Sequence, residues 1–468
     1  MLNHSFRMKA SQPLLCRAVS SIRPMTRTTW MSKRRSISIV PPPWRPASVL
    51  DKYGMQNLHY FLVLMFCRWV EREARPISLR QLTFFGRLLT DTRLLGSANY
   101  VRLELPTRIA HRLRDMQTLP YAALVNPHIS HVYELYYSAF ERLRKVPEIK
   151  TLEDNDRFCD VVREQLRDHL SVIPRLAMGV LEISEAIPSD QCDKLVNSLL
   201  RSRISRRVIA EQHCALTKAY HSPDHLPPAA KLHPEHGDEF VGEIFLRCNA
   251  KEIVQDCADT ISDLARQAYG SDVALPEVVI QGAEDIFFPY IPSHLEYIIG
   301  ELLRNSFQAT VERHGHKPPP IEVLICEAAQ HVIIRVSDQG GGIDREGLPN
   351  LWSFSKGPER NRRLRNLEQV PKLAATLQDL KVPDSESSDE LHDQRQTRFD
   401  HSLGSLSGRH PDLRLGIGLP MSRIFAEYWA GSLEIHNLEG YGVDAFLQIS
   451  KLGNKNETLS TRTSMDAL

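Results

Sequence analysis

The sequence predicts two dissimilar halves: an all-helical bundle over 51–217 and, beyond a linker at 218–238, an α/β sandwich over 239–451. Three observations predict this. In the first half, apolar residues recur only at three- and four-residue spacing. In the second, β-branched runs of strand length alternate with helical stretches. Between them lies a segment punctuated by Pro223, Pro227, Pro228 and Pro234. The 468 residues are 42% hydrophobic and 25% charged, an ordinary globular composition for a chain of several domains. The net charge of +1 argues against a nucleic-acid partner.

Residues 1–50 contain no Asp or Glu, whereas Arg7, Lys9, Arg17, Arg23, Arg27, Lys33, Arg34, Arg35 and Arg45 accumulate there among serines and threonines. An arginine-rich, serine-rich, acid-free leader is the composition of an organellar transit peptide, so a mitochondrial matrix address is expected, with folding to begin after Pro41–Pro43. A disordered basic tail has the same composition. The eight cysteines form no CxxC pair, and neither a zinc site nor a disulfide framework is expected. The most apolar run, 58–70, is interrupted by His59 and Arg68 and is shorter than the roughly 20 residues a spanning helix needs. No membrane span is expected.

In the helical half, Leu58, Phe61, Leu62, Met65 and Trp69 form the first apolar stripe. Further helices are expected over 108–116, 130–143, 156–182 and 191–216. Phe158, Val161, Val162, Leu166 and Leu170 form the core stripe of the third of these, and Pro174 is expected to kink it. Consecutive amphipathic helices with short connections make a bundle. His213 is expected to be a hydrogen-bonded structural histidine, a phosphoacceptor being the alternative.

The α/β half opens with a helix over 251–269 and a strand over 277–281. The next helix, 293–312, SHLEYIIGELLRNSFQATVE, is expected to start on a capping box of Ser293 and Glu296. Leu295, Ile299, Leu302 and Ser306 share one face of it, while Glu301, Asn305 and Gln308 share another. Amid Ile298, Leu302 and Phe307, Glu301 is placed to take a proton and Asn305 to offer an oxygen to magnesium. A solvated helix face has the same pattern. Strands over 321–327 and 332–337 form an antiparallel pair leading into SDQGGGI, 337–343. Its three glycines exceed what a tight turn needs and suit close approach of backbone to a ligand, with Asp338 accepting a hydrogen bond from an adenine amino group. LWSFSKG, 351–357, is followed by a polar segment, 358–413, with an acidic run at 384–390, expected as a lid or insertion. LGIGLPMSRIFAEYWAG, 415–431, places Gly416 and Gly418 before a helix whose N-terminal amides suit phosphate. A hairpin, 432–437 and 443–450, closes the sheet, and 452–468 is a tail.

ELLRNSFQAT, SDQGGGI and GIGLPMSR resemble the N box and the two glycine boxes of the gyrase and histidine-kinase ATPase superfamily. ELPTRIAHRL (104–113), NPHISHVYELY (126–136) and GSLEIHNLEGYGVDAFLQI (431–449) narrow the resemblance to the mitochondrial protein kinases of the 2-oxo acid dehydrogenase complexes, over about 55–451 without the lid. The resemblance implies a histidine-kinase-like α/β sandwich holding ATP and Mg2+, and a helical domain docked on the lipoyl-bearing acyltransferase core. It implies a serine kinase that inactivates the decarboxylase α subunit of the pyruvate or branched-chain complex, acting as a homodimer in the matrix. Residue by residue it implies Glu301 as general base, Asn305 as magnesium ligand and Asp338 as adenine contact, with Gln308, Gly340, Gly342, Ser355, Lys356, Arg414, Leu415, Gly416, Ile417, Gly418 and Leu419 around the nucleotide. Arg414 departs from the family, standing where the pattern usually has glycine. Tyr297, which matches the branched-chain enzyme, and a tail without the Asp-Trp anchor of the pyruvate group both favour the branched-chain member. No GxxxxGK[ST], HRD or DFG motif occurs, which removes the other common ATP folds. A sensor-type histidine kinase using His213 and a catalytically weak scaffold are the alternatives.

Overall fold

The computed structural model describes residues 66–459, apart from 87–88, 222–239, 271–272, 284–285, 316, 371 and 374–413. The basic leader, residues 51–65 of the first expected helix, most of the linker and the acidic run of the insertion lie outside the described residues. Residues 66–71 are helical, as that first stripe predicts. No helix among the described residues is long and apolar enough to cross a membrane.

The helical half comprises α1 (Leu79–Gly86), α2 (Asp91–Gln117), α3 (Tyr121–Leu124), α4 (Pro127–Leu143), α5 (Leu152–Asp168), α6 (Val172–Ile183) and α7 (Ser189–His221). The starts are chemical. Thr90 caps α2, Asn126 accepts from the amides of His128 and Ile129 while Pro127 occupies the first position of α4, and Thr151 with Asp154 forms a capping box on α5. α2 is far longer than the expected 108–116. Gly96 and Pro106 weaken its local signal, yet its buried face, including Leu94, Ala98, Val101 and Ile109, packs on α4, α5 and α7 and overrides that propensity. The expected helix over 156–182 is interrupted by a 3-10 turn at His169–Ser171. Pro174 does not kink it. It occupies the first turn of α6, where no intrahelical N–H is required.

The α/β half contains β1 (Phe240–Val241), β2 (Ile244–Asn249), α8 (Ala250–Tyr269), β3 (Val278–Gly282), β4 (Phe287–Tyr290), α9 (Pro292–His314), β5 (Ile321–Glu327), β6 (His331–Ser337), α10 (Arg360–Glu368), α11 (Gly418–Tyr428), β7 (Ser432–Leu438) and β8 (Gly442–Ser450). The main sheet has the order β3-β5-β6-β8-β7, with β3 parallel to β5 and the other pairs antiparallel. Val332, Ile334 and Val336 of β6 are buried on the face covered by α9, and α8 and α11 complete that helical layer. This is the expected sandwich. A small antiparallel sheet, β1-β2-β4, was not legible in sequence because its strands are two to six residues long. The expected capping box on α9 does not form. Pro292, with φ preset for a helix, takes the first position, Ile291 becomes the N-cap without a side-chain bond, and the Ser293 hydroxyl is buried. The start of the segment expected as a lid or insertion is helical as α10.

The two halves share one compact unit. α7 packs on α11, and Arg201 pairs with Glu427 across that junction. The tail contributes as well. Glu457 is buried at 3% exposure and pairs with Arg108 of α2 at 2.7 Å, accepts from the amide of Ile77 at 3.1 Å and accepts from the Tyr428 hydroxyl at the end of α11. Among α2, α4, α5 and α7 a partly open pocket of about 30 Å³ is lined by His169, Arg203, Arg206 and Arg207 among others. Burial, then the charge of Arg206, pushes the His169 pKa down to about 3, so this imidazole is neutral at physiological pH.

Removing Glu457 would take one of two carboxylates from the buried Arg108 guanidinium, leaving Glu104 at 3.2 Å as its remaining counter-charge, so the cost is expected to fall below the roughly 3–5 kcal/mol seen where a buried charge loses its sole partner. Glu457→Ala is expected to lower the urea midpoint of unfolding by a corresponding amount. A midpoint equal to wild type would contradict the tie between tail and bundle.

Candidate active site

α9 is the wall against which the separate motifs meet. Glu301 is buried at 5% exposure, and a methyl group placed on Gly418 would collide with its Oε2. The first residue of α11 therefore lies directly against the carboxylate. One turn and a half further along, Ser306 donates its hydroxyl to Asp338 Oδ2 at 2.9 Å. A methyl on Gly340 would overlap Ala309 of the same helix. At the far end, Arg414 forms an ion pair with Glu312, which also accepts from the Gln308 amide at 3.2 Å.

Asp338 follows the last residue of β6. Its own amide donates to Val443 O at 3.0 Å, continuing the β6–β8 ladder. Its Oδ1 accepts from the amide of Gly340 at 2.9 Å. Burial pushes the Asp338 carboxyl pKa up, while the Gly340 amide and the Ser306 hydroxyl oppose that shift by stabilising the charged form. Each oxygen accepts one bond and keeps further lone-pair capacity for an incoming donor. The loop beyond, which holds Gly342, is fixed by Asn437: Ile343 donates its amide to Asn437 Oδ1 at 2.6 Å and accepts from Nδ2 at 2.8 Å.

The second glycine loop is organised by a residue that the sequence reading missed. Arg363, on α10, is buried at 5% exposure and donates to Leu415 O at 3.3 Å and Gly416 O at 3.1 Å. The same guanidinium donates to Phe354 O and Lys356 O, each at 3.0 Å. Asn366 adds a bond to Arg414 O at 2.9 Å. Gly416 has φ +69, and a side chain there would enter the space of the Arg363 guanidinium. Ile417 and Leu415 are buried beneath the loop. Pro420 has no N–H, so the first turn of α11 presents the amides of Gly418 and Leu419, which in a helix have no intrahelical partner.

Glu301, Asp338, Gly340 and Gly418 are thus brought onto one helix, and Leu415, Gly416 and Lys356 onto one arginine, whereas Ser355 is held by Asp193 and Ser189 of α7. Asn305 is exposed, one turn from Glu301. Gln308 donates to Glu312 along the helix. Lys356 is exposed and enters the network through its backbone. Among residues not singled out from sequence, Ser306, Arg363, Asn437 and Asp193 all shape the site. A serine on an apolar face and an arginine in a polar insertion gave no signal. His213 is 1% exposed, lies 3.1 Å through Nδ1 from the Ser97 hydroxyl, and packs on Phe158, as a structural histidine does.

Comparison with known sequences bears on this arrangement. Residues 76–245 match a family model described as mitochondrial branched-chain alpha-ketoacid dehydrogenase kinase. Residues 290–452 match one described as histidine kinase-, DNA gyrase B-, and HSP90-like ATPase. The chain is 33% identical over 441 residues to [pyruvate dehydrogenase (acetyl-transferring)] kinase 2, mitochondrial, of Saccharomyces cerevisiae, covering 85% of this chain and 86% of that protein. It is 32% identical to the corresponding mitochondrial kinase of Arabidopsis thaliana, over 84% of this chain and 94% of the relative. A Drosophila melanogaster kinase of the same name is 27% identical, over 82% and 84% of the two chains. With the ATPase sandwich in place and a third of its residues shared across nearly the full length of such relatives, this chain belongs to the mitochondrial 2-oxo acid dehydrogenase kinase family and is an ATP-dependent protein-serine kinase.

Proposed function

We propose that this kinase phosphorylates serine on the decarboxylase α subunit of the pyruvate dehydrogenase complex in the mitochondrial matrix and thereby inactivates it. The observation that carries the reading is the contact between Glu301 and Gly418, which sets a proton acceptor beside a helix N-terminus suited to phosphate. The names of the matched relatives support pyruvate as the substrate class. The family model matched over 76–245 and Tyr297, buried with its ring 5.0 Å from that of Phe425, support the branched-chain complex as a second reading.

In this mechanism Asp338 accepts a hydrogen bond from the adenine amino group. The amides of Gly418 and Leu419, with the positive end of α11, stabilise charge that develops on the transferred phosphoryl group. Glu301 takes the proton of the incoming serine hydroxyl. Asn305 fits a magnesium site: it offers a hard carboxamide oxygen at the exposed edge of α9, and magnesium is usually held by one or two protein oxygens together with phosphates and water. Asn305 would hold the cation, which would supply positive charge to offset that of the phosphates. The helical half is the docking domain for the lipoyl-bearing acyltransferase core in this reading, raising the effective concentration of the decarboxylase held on the same core. A homodimer and import through the basic leader complete it.

The decisive assay presents pyruvate and branched-chain decarboxylases side by side, with and without the lipoyl-bearing core. Acid-stable phosphoserine on the pyruvate α subunit, formed faster with the core, is expected. Glu301→Gln should slow transfer about 10²- to 10⁴-fold while ATP still binds. Acid-labile phosphate on the kinase itself would favour the histidine-kinase alternative, and unchanged turnover in the variant would remove Glu301 as base.

The raised pKa of Asp338 gives ATP binding a pH dependence of defined sign. Adenine needs the carboxylate, so affinity is complete near neutral pH and falls as pH drops through that raised value, earlier than for an ordinary aspartate. Asp338→Asn should weaken ATP binding about tenfold and flatten this dependence, because the amide replaces an acceptor oxygen with a donor. Calorimetric titration between pH 5 and 8 checks it. Parallel profiles for the two proteins would contradict the adenine role.

A further inference from the structure

We propose that Asp193, on the helical half, is a positioning residue for the nucleotide site, so that ATP affinity is set in part by α7. The inference rests on the nucleotide reading above and adds a residue to it. Asp193 lies in the second turn of α7. Its Oδ1 accepts from the amides of Phe354 at 2.9 Å and Ser355 at 3.1 Å, and its Oδ2 accepts from the Ser353 hydroxyl at 2.6 Å. Ser353 Oγ in turn accepts from the amide of Lys356 at 2.9 Å. The Ser355 hydroxyl donates to Ser189 O, also on α7, at 3.4 Å.

The opposite side of the same loop belongs to Arg363. Phe354 has its N–H on the Asp193 carboxylate and its C=O on the Arg363 guanidinium. The two charged groups face one another, and Asp193 supports the cationic form of an arginine whose burial opposes it. Arg363 also holds Leu415 O and Gly416 O, so one chain of bonds runs from α7 through the 353–356 loop to the second glycine loop. Additional ties bind the base of the insertion to the bundle: Arg360 donates to Leu181 O at 2.8 Å, and the amide of Leu373 donates to Leu170 O at 3.1 Å. A displacement of α7 therefore shifts acceptors shared with the phosphate-binding loop, whereas Glu301 and Asp338 are held by α9 and the sheet. Asp193 itself is not bonded to either of those carboxylates, so its effect falls on nucleotide affinity rather than on the chemical step.

The test uses the full-length kinase as wild type, Asp193→Ala, Asp193→Asn and Ser353→Ala. MgATP Kd is measured by calorimetry and kcat and KM for ATP on the decarboxylase substrate, alongside melting temperatures. Asp193→Ala is expected to raise Kd and KM for ATP about tenfold, with kcat at saturating ATP within about twofold. Asp193→Asn should recover most of the loss, since a single oxygen receives both main-chain bonds, and Ser353→Ala should fall between. An Asp193→Ala protein that melts normally and binds ATP like wild type overturns the proposal. So does a variant in which kcat and KM fail together without rescue by asparagine, the mark of a merely structural role. Where Asp193→Ala does not fold, wild-type ATP affinity in both other variants overturns it. A wild-type chain that binds no MgATP removes the nucleotide reading itself, and this inference with it.

Discussion

The close approach of α11 to α9 is the constraint on which the site depends. Glu301 and the first residue of α11 touch because position 418 has no side chain, and a β-carbon there would require the Glu301 carboxylate to shift away from that helix end. Asp338 reaches the same helix through Ser306, and Gly340 through Ala309. A rigid helix that locates several groups at once is better suited to catalysis than loops positioned independently, because geometry within tenths of an ångström decides transition-state stabilisation.

How much of this was legible follows from where the information lies. Glu301, Asp338 and the glycines announce themselves because their residue types are improbable in those local settings, and the helix and strand patterns around them are periodic. The sandwich and the bundle were legible for the same reason. What failed did so where a stronger local rule or a distant partner intervened. Ser293 reads as a cap until Pro292, adjacent to it, takes the first helical position. α2 reads as fragments until its buried face meets α4 and α7. Asp193 and Arg363 were invisible because the loop that each binds is defined only by the fold: Asp193 is 161 positions from Phe354 in sequence, and Arg363 is 53 from Gly416.

The helical half also fixes the C-terminal end of α11. Glu457, Arg108 and Tyr428 tie the end of α11 to α2, and Arg201 with Glu427, one residue earlier, ties that same end to α7. Buried pairs of this kind are poor sources of net stability, since desolvation opposes their attraction, but breaking one leaves an uncompensated charge. Their effect is to fix one arrangement of the two halves. α11 is therefore anchored at its C-terminal end by the bundle and at its N-terminal end by α9.

The most direct measurement of this account is the turnover of Gly418→Ala at saturating MgATP, with ordered structure verified by melting. The added methyl must shift the Glu301 carboxylate away from the start of α11, and in the proposed mechanism that displacement of the base predicts a fall in kcat of about a hundredfold. A folded Gly418→Ala kinase whose kcat stays within about twofold of wild type would contradict the claim that these two elements act in contact.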